Sequence, residues 1–296
     1  IEFARTLGGA SVIKADGLAA GKGVIVCDDL AQAEQAIRSL LGGRFAEASA
    51  RIVVEERLHG IEMSAFALLD GKTAIWLASA QDHKRAFDND EGENTGGMGA
   101  ISPSPLETDA LISQIMTSVI MPVCEGMKAE NMPYKGVLYV GLMLTDDGPK
   151  VIEYNCRFGD PEAQVIIPRM MTDLVSAMMT LYESGLGHFN LRLSTSTAIT
   201  VVMASKGYPG AYEKGSRISN IGLAEQTGCI VFHAGTAQDD TGQLVASGGR
   251  VLAVTAIDEN PKIARQTAYQ GVAAIDWAEG VYRTDIAAKA LGLDDS

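Results

Sequence analysis

Three polar side chains spaced by two, Glu153, Asn155 and Arg157, stand out in "VIEYNCRFGDPEAQ", residues 151–164. Ile152, Tyr154, Cys156 and Phe158 alternate with them, which is the period of a half-buried β-strand. On such a strand the three polar groups form a row, roughly 6–7 Å apart. A carboxylate and an amide oxygen suit a hard divalent cation, which takes oxygen ligands from protein, phosphate and water. A guanidinium two residues on can grip a carboxylate or phosphate through two parallel hydrogen bonds. Asp160-Pro161-Glu162 then predicts a helix start, with Asp160 as N-cap and Pro161 in the first turn, whose dipole favours anions at the same end. The plainer alternative is an exposed sheet face with an incidental Glu–Arg pair.

Three further stretches have spacing that suits chemistry. "KADGLAAGKG", 14–23, places Lys14 and Lys22 around a glycine turn whose backbone N–H groups can cradle phosphate. It is not a Walker A loop: the spacing from Gly17 to Gly21-Lys22 is one residue short, Gly23 replaces the metal-binding Ser or Thr, and a strand follows where a helix is required. A flexible hairpin turn is the competing reading. "VVEERL", 53–58, ends a strand in two acids, either a solvated strand end or a hinge. In the hinge reading its backbone pairs with an adenine edge, and its carboxylate or that of Glu62 meets ribose hydroxyls. "QDHKR", 81–85, and "ENTGGMGA", 93–100, combine charges at the end of an apolar strand with Gly96, Gly97 and Gly99, which permit close backbone approach to an anionic ligand.

These residues need elements to hold them. Strands are predicted at 11–16, 23–27 and 51–58, with an amphipathic helix over 30–41. Two longer strands, "MSAFALLDG" and "TAIWLASAQDHKR", follow. A helical region spans 107–130, and a hairpin over 136–159 turns at Asp146-Asp147-Gly148. Pro168 interrupts the helix after the hairpin. Met170, Met171, Met178 and Met179 read as core packing. Past residue 190 the texture changes to strands "STAITVVMAS", "CIVFHAGT" and "GRVLAVTAI" and a helix starting at Asn260-Pro261, with a domain boundary near 190–196.

Composition narrows the classes. The 296 residues suggest about two domains, and 47% hydrophobic with 21% charged residues describes a globular chain. A net charge of −13 argues against broad binding to nucleic acid or to an anionic membrane. No uninterrupted apolar stretch reaches the roughly 18 residues of a membrane span, and the start "IEFARTLGGA" is neither a signal nor a transit peptide. Cys27, Cys124, Cys156 and Cys229 form no CxxC pair, sit in apolar stretches and read as free thiols of a cytoplasmic protein.

A lysine before a glycine loop, an acidic hinge and Glu-x-Asn-x-Arg on a strand, in this order, resemble the ATP-grasp ligases. More narrowly, "KADGLAAGKGV", "SAQDHKR", "NTGGMGA", "EYNCRFGDPE", "FHAGT" and "SGGRVL" resemble the phosphoribosylamine–glycine ligase family over nearly the whole chain. The purine-pathway carboxylating and formylating relatives carry Pro-Arg-x-His-Asn where this chain has Cys-Arg-Phe-Gly-Asp. The resemblance implies an α+β ATP-grasp fold with a residual segment at 1–11, a lid over 12–57, a catalytic half over 58–192 and a C-terminal β-rich domain over 193–296. It implies ATP with Mg²⁺ or Mn²⁺, and glycine and 5-phosphoribosylamine as small-molecule substrates joined through glycyl phosphate, with no nucleic-acid or membrane partner. It assigns the metal to Glu153 and Asn155. ATP falls to Lys14, Gly17, Gly21, Lys22, Gly23, Glu55, Glu56, Leu58 and Glu62. The substrates fall to Asp82, His83, Lys84, Asn94, Thr95, Gly96, Gly97, Met98, Arg157 and Asp160, of which Lys84, Arg157 and Asp160 are the catalytic candidates. The alternatives are an ATP-grasp ligase for another acid and amine, or a non-catalytic nucleotide-binding remnant. Two departures stand out. Gly141 occupies the place of an additional metal-binding acid, and the chain begins after the family's N-terminal domain, so it is expected to bind MgATP yet ligate poorly by itself.

Overall fold

The computed structural model describes residues 1–17, 19, 23–43 and 46–293, in two compact units, Ile1–Gly60 and Ile61–Ser296. Gly21 and Lys22 lie outside the described residues.

The first unit contains α1 (Glu2–Thr6), β1 (Ser11–Ala15), β2 (Val24–Cys27), α2 (Leu30–Leu41) and β3 (Ile52–Glu56), with the strands in the antiparallel order β2-β1-β3. Ala33, Ala36, Ile37 and Leu40 recur at helical spacing, so α2 buries one stripe against Ile13 and Cys27. Asp29 caps it, accepting a hydrogen bond from the Gln32 amide at 2.8 Å.

The second unit is built on one sheet. Its strands are β4 (Ile61–Asp70), β5 (Ala74–Asp82), β8 (Gly99–Ser102), β9 (Lys135–Thr145), β10 (Gly148–Asn155), β11 (Thr197–Ser205), β12 (Ile230–His233), β15 (Arg250–Asp258) and β16 (Gly280–Val281). Among the described residues the order is β10-β9-β4-β5-β8-β11-β15-β12, with β16 beside β11. Strands on both sides of residue 193 thus share one sheet, joined where Ala198 pairs with Ser102. Two small hairpins, β6 (Arg85–Phe87) with β7 (Glu91–Asn94) and β13 (Thr236–Gln238) with β14 (Leu244–Ala246), stand apart from it.

One face of the sheet packs under α3 (Asp109–Ile115) and α4 (Met121–Ala129), which a π-helical segment at Met116–Ile120 joins. By length and composition alone this stretch, Asp109–Ala129, is apolar enough to cross a membrane. Its stripe of Ile115, Val119, Ile120 and Cys124 is buried on the sheet against Ala65, Leu138 and Val140. The opposite face carries α5 (Ala163–Ile166) and α6 (Leu174–Tyr182) over Phe66, Leu68 and Tyr139. α7 (Ile221–Gln226) and α8 (Pro261–Ala274) close the C-terminal core.

Several expectations change here. β10 ends at Asn155, so Arg157 stands beyond the strand rather than as a third member of its row. β10 is an edge strand, and Tyr154 on its apolar side is 45% exposed, with Cys156 exposed too. Asp160 is not an N-cap: α5 begins at Ala163, lasts four residues and gives way to a 3₁₀ turn at Ile167–Arg169 around Pro168. A helix so short offers little dipole to an anion. Met170 and Met178 pack on the core, whereas Met171 and Met179 are exposed. All four cysteines are free thiols.

Candidate active site

Register decides which side chains meet. Ser64 lies opposite Gly141, and Gly141 opposite Glu153; Phe66 lies opposite Tyr139, and Tyr139 opposite Asn155. Ser64 also faces Ala80, so Glu62 and Asp82, each two residues away, share its side of the sheet. Four strands therefore present one polar row: Asp82, Glu62, Ser64, Tyr139, Glu153 and Asn155.

At the β10 end, Asn155 Nδ2 donates to Glu153 Oε1 at 3.0 Å. The two side chains reach a common point, and turning the amide brings its oxygen to the carboxylate. A Cβ on Gly141 would stand 3.2 Å from Glu153 Cγ, so glycine there leaves room beside the carboxylate. Among the described residues no three His, Cys, Asp or Glu side chains converge on one point. One carboxylate and one amide oxygen fit a small hard cation that keeps waters and takes phosphate oxygens, as Mg²⁺ and Mn²⁺ do.

Next along the row, Lys84 Nζ stands 2.6 Å from Glu62 Oε2. Burial pulls the lysine pKa down, but the charges of Asp82 and Glu62 outweigh it and hold the group above its ordinary value. Burial raises the pKa of Asp82 while Lys84 opposes the rise. Under the row, Ser64 Oγ lies 3.1 Å from Tyr139 Oη and 3.2 Å from Glu162 Oε1. A hydroxyl has one proton, so with Glu162 ionised Ser64 donates to it and accepts from Tyr139. Burial, reinforced by Asp82, pushes Glu162 up to about 7, and burial raises Tyr139 as well. Gly159 makes this possible, because a Cβ there would collide with the Glu162 carboxylate.

The loop at 94–98 is tied down on every side. Thr95 N and Oγ1 both donate to Lys84 O, at 2.7 and 2.9 Å. Gly97 N donates to Thr95 Oγ1 at 2.9 Å, Met98 N to His83 O at 2.8 Å, and Gly96 N to Tyr208 Oη at 3.1 Å. The glycines admit protein atoms: a Cβ on Gly97 would strike Pro161 Cδ, and one on Gly99 would lie 2.7 Å from Thr200 O. Met98 is 2% exposed, and its side chain packs in the core. Asn94 is exposed at the end of β7. His83 Nδ1 has no hydrogen-bond partner among the described residues. Its Nε2 accepts from Ala287 N at 3.1 Å, which puts the ring proton on Nδ1, and burial with the nearby Arg283 charge depresses its pKa to about 4. Arg157 donates to Phe158 O at 2.7 Å and is exposed. Both carboxylate oxygens of Asp160 are engaged, Oδ2 by Arg250 and Oδ1 by Gln164, each at 2.8 Å.

In the first unit, Lys14 Nζ pairs with Glu55 Oε2 at 2.6 Å, so two residues assigned separately to phosphate and ribose meet each other. Ala15 N donates to Gly23 O at 2.8 Å and closes the glycine loop. A Cβ on Gly17 would lie 2.6 Å from Ala48 Cα, and one on Gly23 2.7 Å from Ala19 Cβ. Glu56 ends β3, and Leu58 follows it half-buried. Sequence reading passed over Ser64, Tyr139, Glu162 and Arg250. Glu162 counted only as a first-turn acid, and Arg250 lay unexplained in "SGGRVL".

Residues 2–163 match the ATP-grasp (A) domain of phosphoribosylglycinamide synthetase, and residues 198–289 match its C domain. The chain belongs to the phosphoribosylglycinamide synthetase family. It is 50% identical to phosphoribosylamine–glycine ligase from Caulobacter vibrioides over 98% of this chain and 68% of that one. It is 49% identical to trifunctional purine biosynthetic protein adenosine-3 of Gallus gallus, over 96% of this chain and 28% of that protein. The chain thus spans about two thirds of the Caulobacter relative and a smaller share of the avian one. The crystal structure of the Thermotoga maritima phosphoribosylamine–glycine ligase superposes with a TM-score of 0.85 at 35% identity, covering 96% of this chain and 71% of that one. Campylobacter jejuni biotin carboxylase, at 14% identity and a TM-score of 0.66 over 98% of this chain and 61% of that one, shares the fold alone. The fold class is therefore ATP-grasp α+β, and the family is one of ATP-dependent ligases.

Proposed function

We propose that this chain carries the ATP-grasp machinery that joins glycine to 5-phosphoribosylamine. ATP transfers its γ-phosphoryl group to a glycine carboxylate oxygen, leaving ADP. The amine of phosphoribosylamine then attacks the acyl carbon, the C–O bond to phosphate breaks, and the amine gives up a proton as the amide forms. The observation that carries the reading is the polar row with Glu153 and Asn155 paired at its edge, in a chain half identical to a ligase of this name.

Phosphoryl transfer is chiefly positioning and neutralisation of charge. Glu153 and Asn155 would hold Mg²⁺ or Mn²⁺, which offsets phosphate charge when bound. Lys14, Gly17 and Gly23, with Gly21 and Lys22, are assigned to the ATP phosphates, and Glu55, Glu56, Leu58 and Glu62 to the nucleoside. Lys84, held cationic by Asp82 and Glu62, is a fixed positive charge for a developing phosphate or carboxylate anion. Arg157, exposed and bonded only to a neighbouring carbonyl among the described residues, is free to turn toward the glycine carboxylate. Asn94, Thr95, Gly96, Gly97 and Asp160 form the acceptor side. His83 is assigned to the same side, and Met98 backs it from the core. We assign the 12–57 segment to the lid and 58–192 to the catalytic half, with 193–296 as the C-terminal region.

The test is a coupled ADP-release assay on the full-length protein, with glycine and phosphoribosylamine compared against other acids and amines. ADP release that requires this pair supports the reading. Faster turnover with another pair, or MgATP binding without turnover on any pair, overturns it in favour of a different ligase or a non-catalytic nucleotide binder.

A further inference from the structure

Two motifs near the C-terminus, "FHAGT" and "SGGRVL", hold no residue assigned above to the reaction, yet both are rich in close backbone approaches. A Cβ on Gly235 would lie 2.8 Å from Gly248 N, and one on Gly248 2.9 Å from Gly235 Cα, so both positions require glycine for the two turns to touch. Ser247 N and Gly248 N both donate to Gly235 O, at 2.7 and 3.1 Å. Gly249 lies against the Tyr208 ring, where a Cβ would collide. This mount delivers Arg250 at the first position of β15. Its Nη1 donates to Gly96 O at 2.8 Å, Asp160 O at 2.7 Å and Gly97 O at 3.3 Å, and its Nη2 donates to Asp160 Oδ2 at 2.8 Å. Tyr208, on the same mount, takes the Gly96 N–H. A Cβ on Gly96 would stand 2.8 Å from the guanidinium, so a side chain there would displace Arg250 from this position.

We infer that Arg250 is a positioning residue for the acceptor side of the site, acting from the C-domain match on two loops of the A-domain match. One planar fork fixes the backbone of residues 96–97 and the backbone and carboxylate of Asp160 against each other. Lysine, with a single nitrogen, cannot span these acceptors. Misplacing a substrate-aligning loop by about 1 Å can cost on the order of a hundredfold in rate. The inference rests on the proposed assignment of residues 94–97 and Asp160 to the amine acceptor.

The experiment compares wild type, Arg250→Ala, Arg250→Lys and Tyr208→Phe in the full-length protein. Arg250→Ala is expected to raise KM for phosphoribosylamine about tenfold or more while KM for ATP stays within about twofold. Arg250→Lys should recover only part of the loss, and Tyr208→Phe should give a smaller shift in the same direction. Hydrogen exchange reads the clamp without any substrate: the amides of Gly96, Gly97 and Met98 should exchange faster in Arg250→Ala. Unchanged exchange overturns the clamp, whether or not the wild type uses this substrate pair. Faster exchange with equal losses for ATP and amine overturns the positioning role and leaves a structural tie. Wild-type turnover on a different pair removes the assumed acceptor; the KM shift must then appear for the amine that is used, and its absence overturns the inference.

Discussion

The β10 edge and the 94–98 loop both border the proposed chemistry, and they are built in opposite ways. At the edge, Glu153 and Asn155 are exposed or half-buried and bond to each other, in a place kept open by Gly141. Their positions come from a strand, where alternation alone sets direction. In the loop, the amides of residues 95 to 98 are all bonded and the carbonyls of Gly96 and Gly97 are held by Arg250. The first place can change partners when a ligand arrives; the second can be used only as it stands. A strand edge makes a cheap and adjustable ligand set, whereas a loop must be fixed by distant parts of the chain before it can position anything.

The sharpest way to break this contrast is Glu153→Gln. The side chain keeps its shape and loses the charge that would offset a cation. Turnover is expected to fall at least about a hundredfold, with little change in Tm because the residue is exposed. Full activity at unchanged metal dependence would remove the metal assignment.

Gly97→Ala attacks the other place. With φ at +110° and a Cβ directed at Pro161, it should cost about 2–3 kcal/mol of stability, read from denaturant midpoints. A loss below about 0.5 kcal/mol would show that the loop yields as easily as the edge.

Two buried titrating groups separate the regions by pH. Glu162 has its folded pKa raised from 4.5 to about 7, so its contribution to stability is full below pH 4.5 and is lost as pH rises through 7. His83 is lowered from 6.5 to about 4, so its contribution is full above pH 6.5 and is lost as pH falls through 4. Each amounts to at most about 3 kcal/mol, and the two slopes oppose over most of the same window. Burial raises Asp82 above 3.8 as well, so the two groups are read as differences from the wild-type curve. Relative to wild type, Glu162→Gln should gain stability as pH rises from 4.5 to 6.5, and His83→Gln should lose it. Parallel curves for all three proteins would show that neither group is perturbed as described.

The smallest effect calibrates the rest. Gly126→Ala, inside α4 with open space where the Cβ would go, should stabilise by about 0.5–1 kcal/mol. A loss there would mean that this helix tolerates side chains no better than the loop does.

What the sequence determined by itself is whatever follows from neighbours in the chain. Period two placed Glu153 and Asn155 on one face. Period 3.6 placed the stripe of α2. Asp146-Asp147-Gly148 turned the hairpin. These are local consequences of backbone geometry, legible wherever a pattern runs for several residues. What only the tertiary structure decided depends on pairs far apart. Arg157 lost its place in the row because β10 stops at Asn155. Asp160 became Arg250's partner, 90 residues away, rather than a helix cap. Gly96, Gly97 and Gly99, which promised a ligand's approach, admit Arg250, Pro161 and Thr200 instead. Glu162 is unusual only because Ser64 and Asp82 come to lie against it in a dry layer. A side chain's type sets what it can bond, but its pKa and its partner belong to the folded neighbourhood, because desolvation and Coulomb energy act through space rather than along the chain.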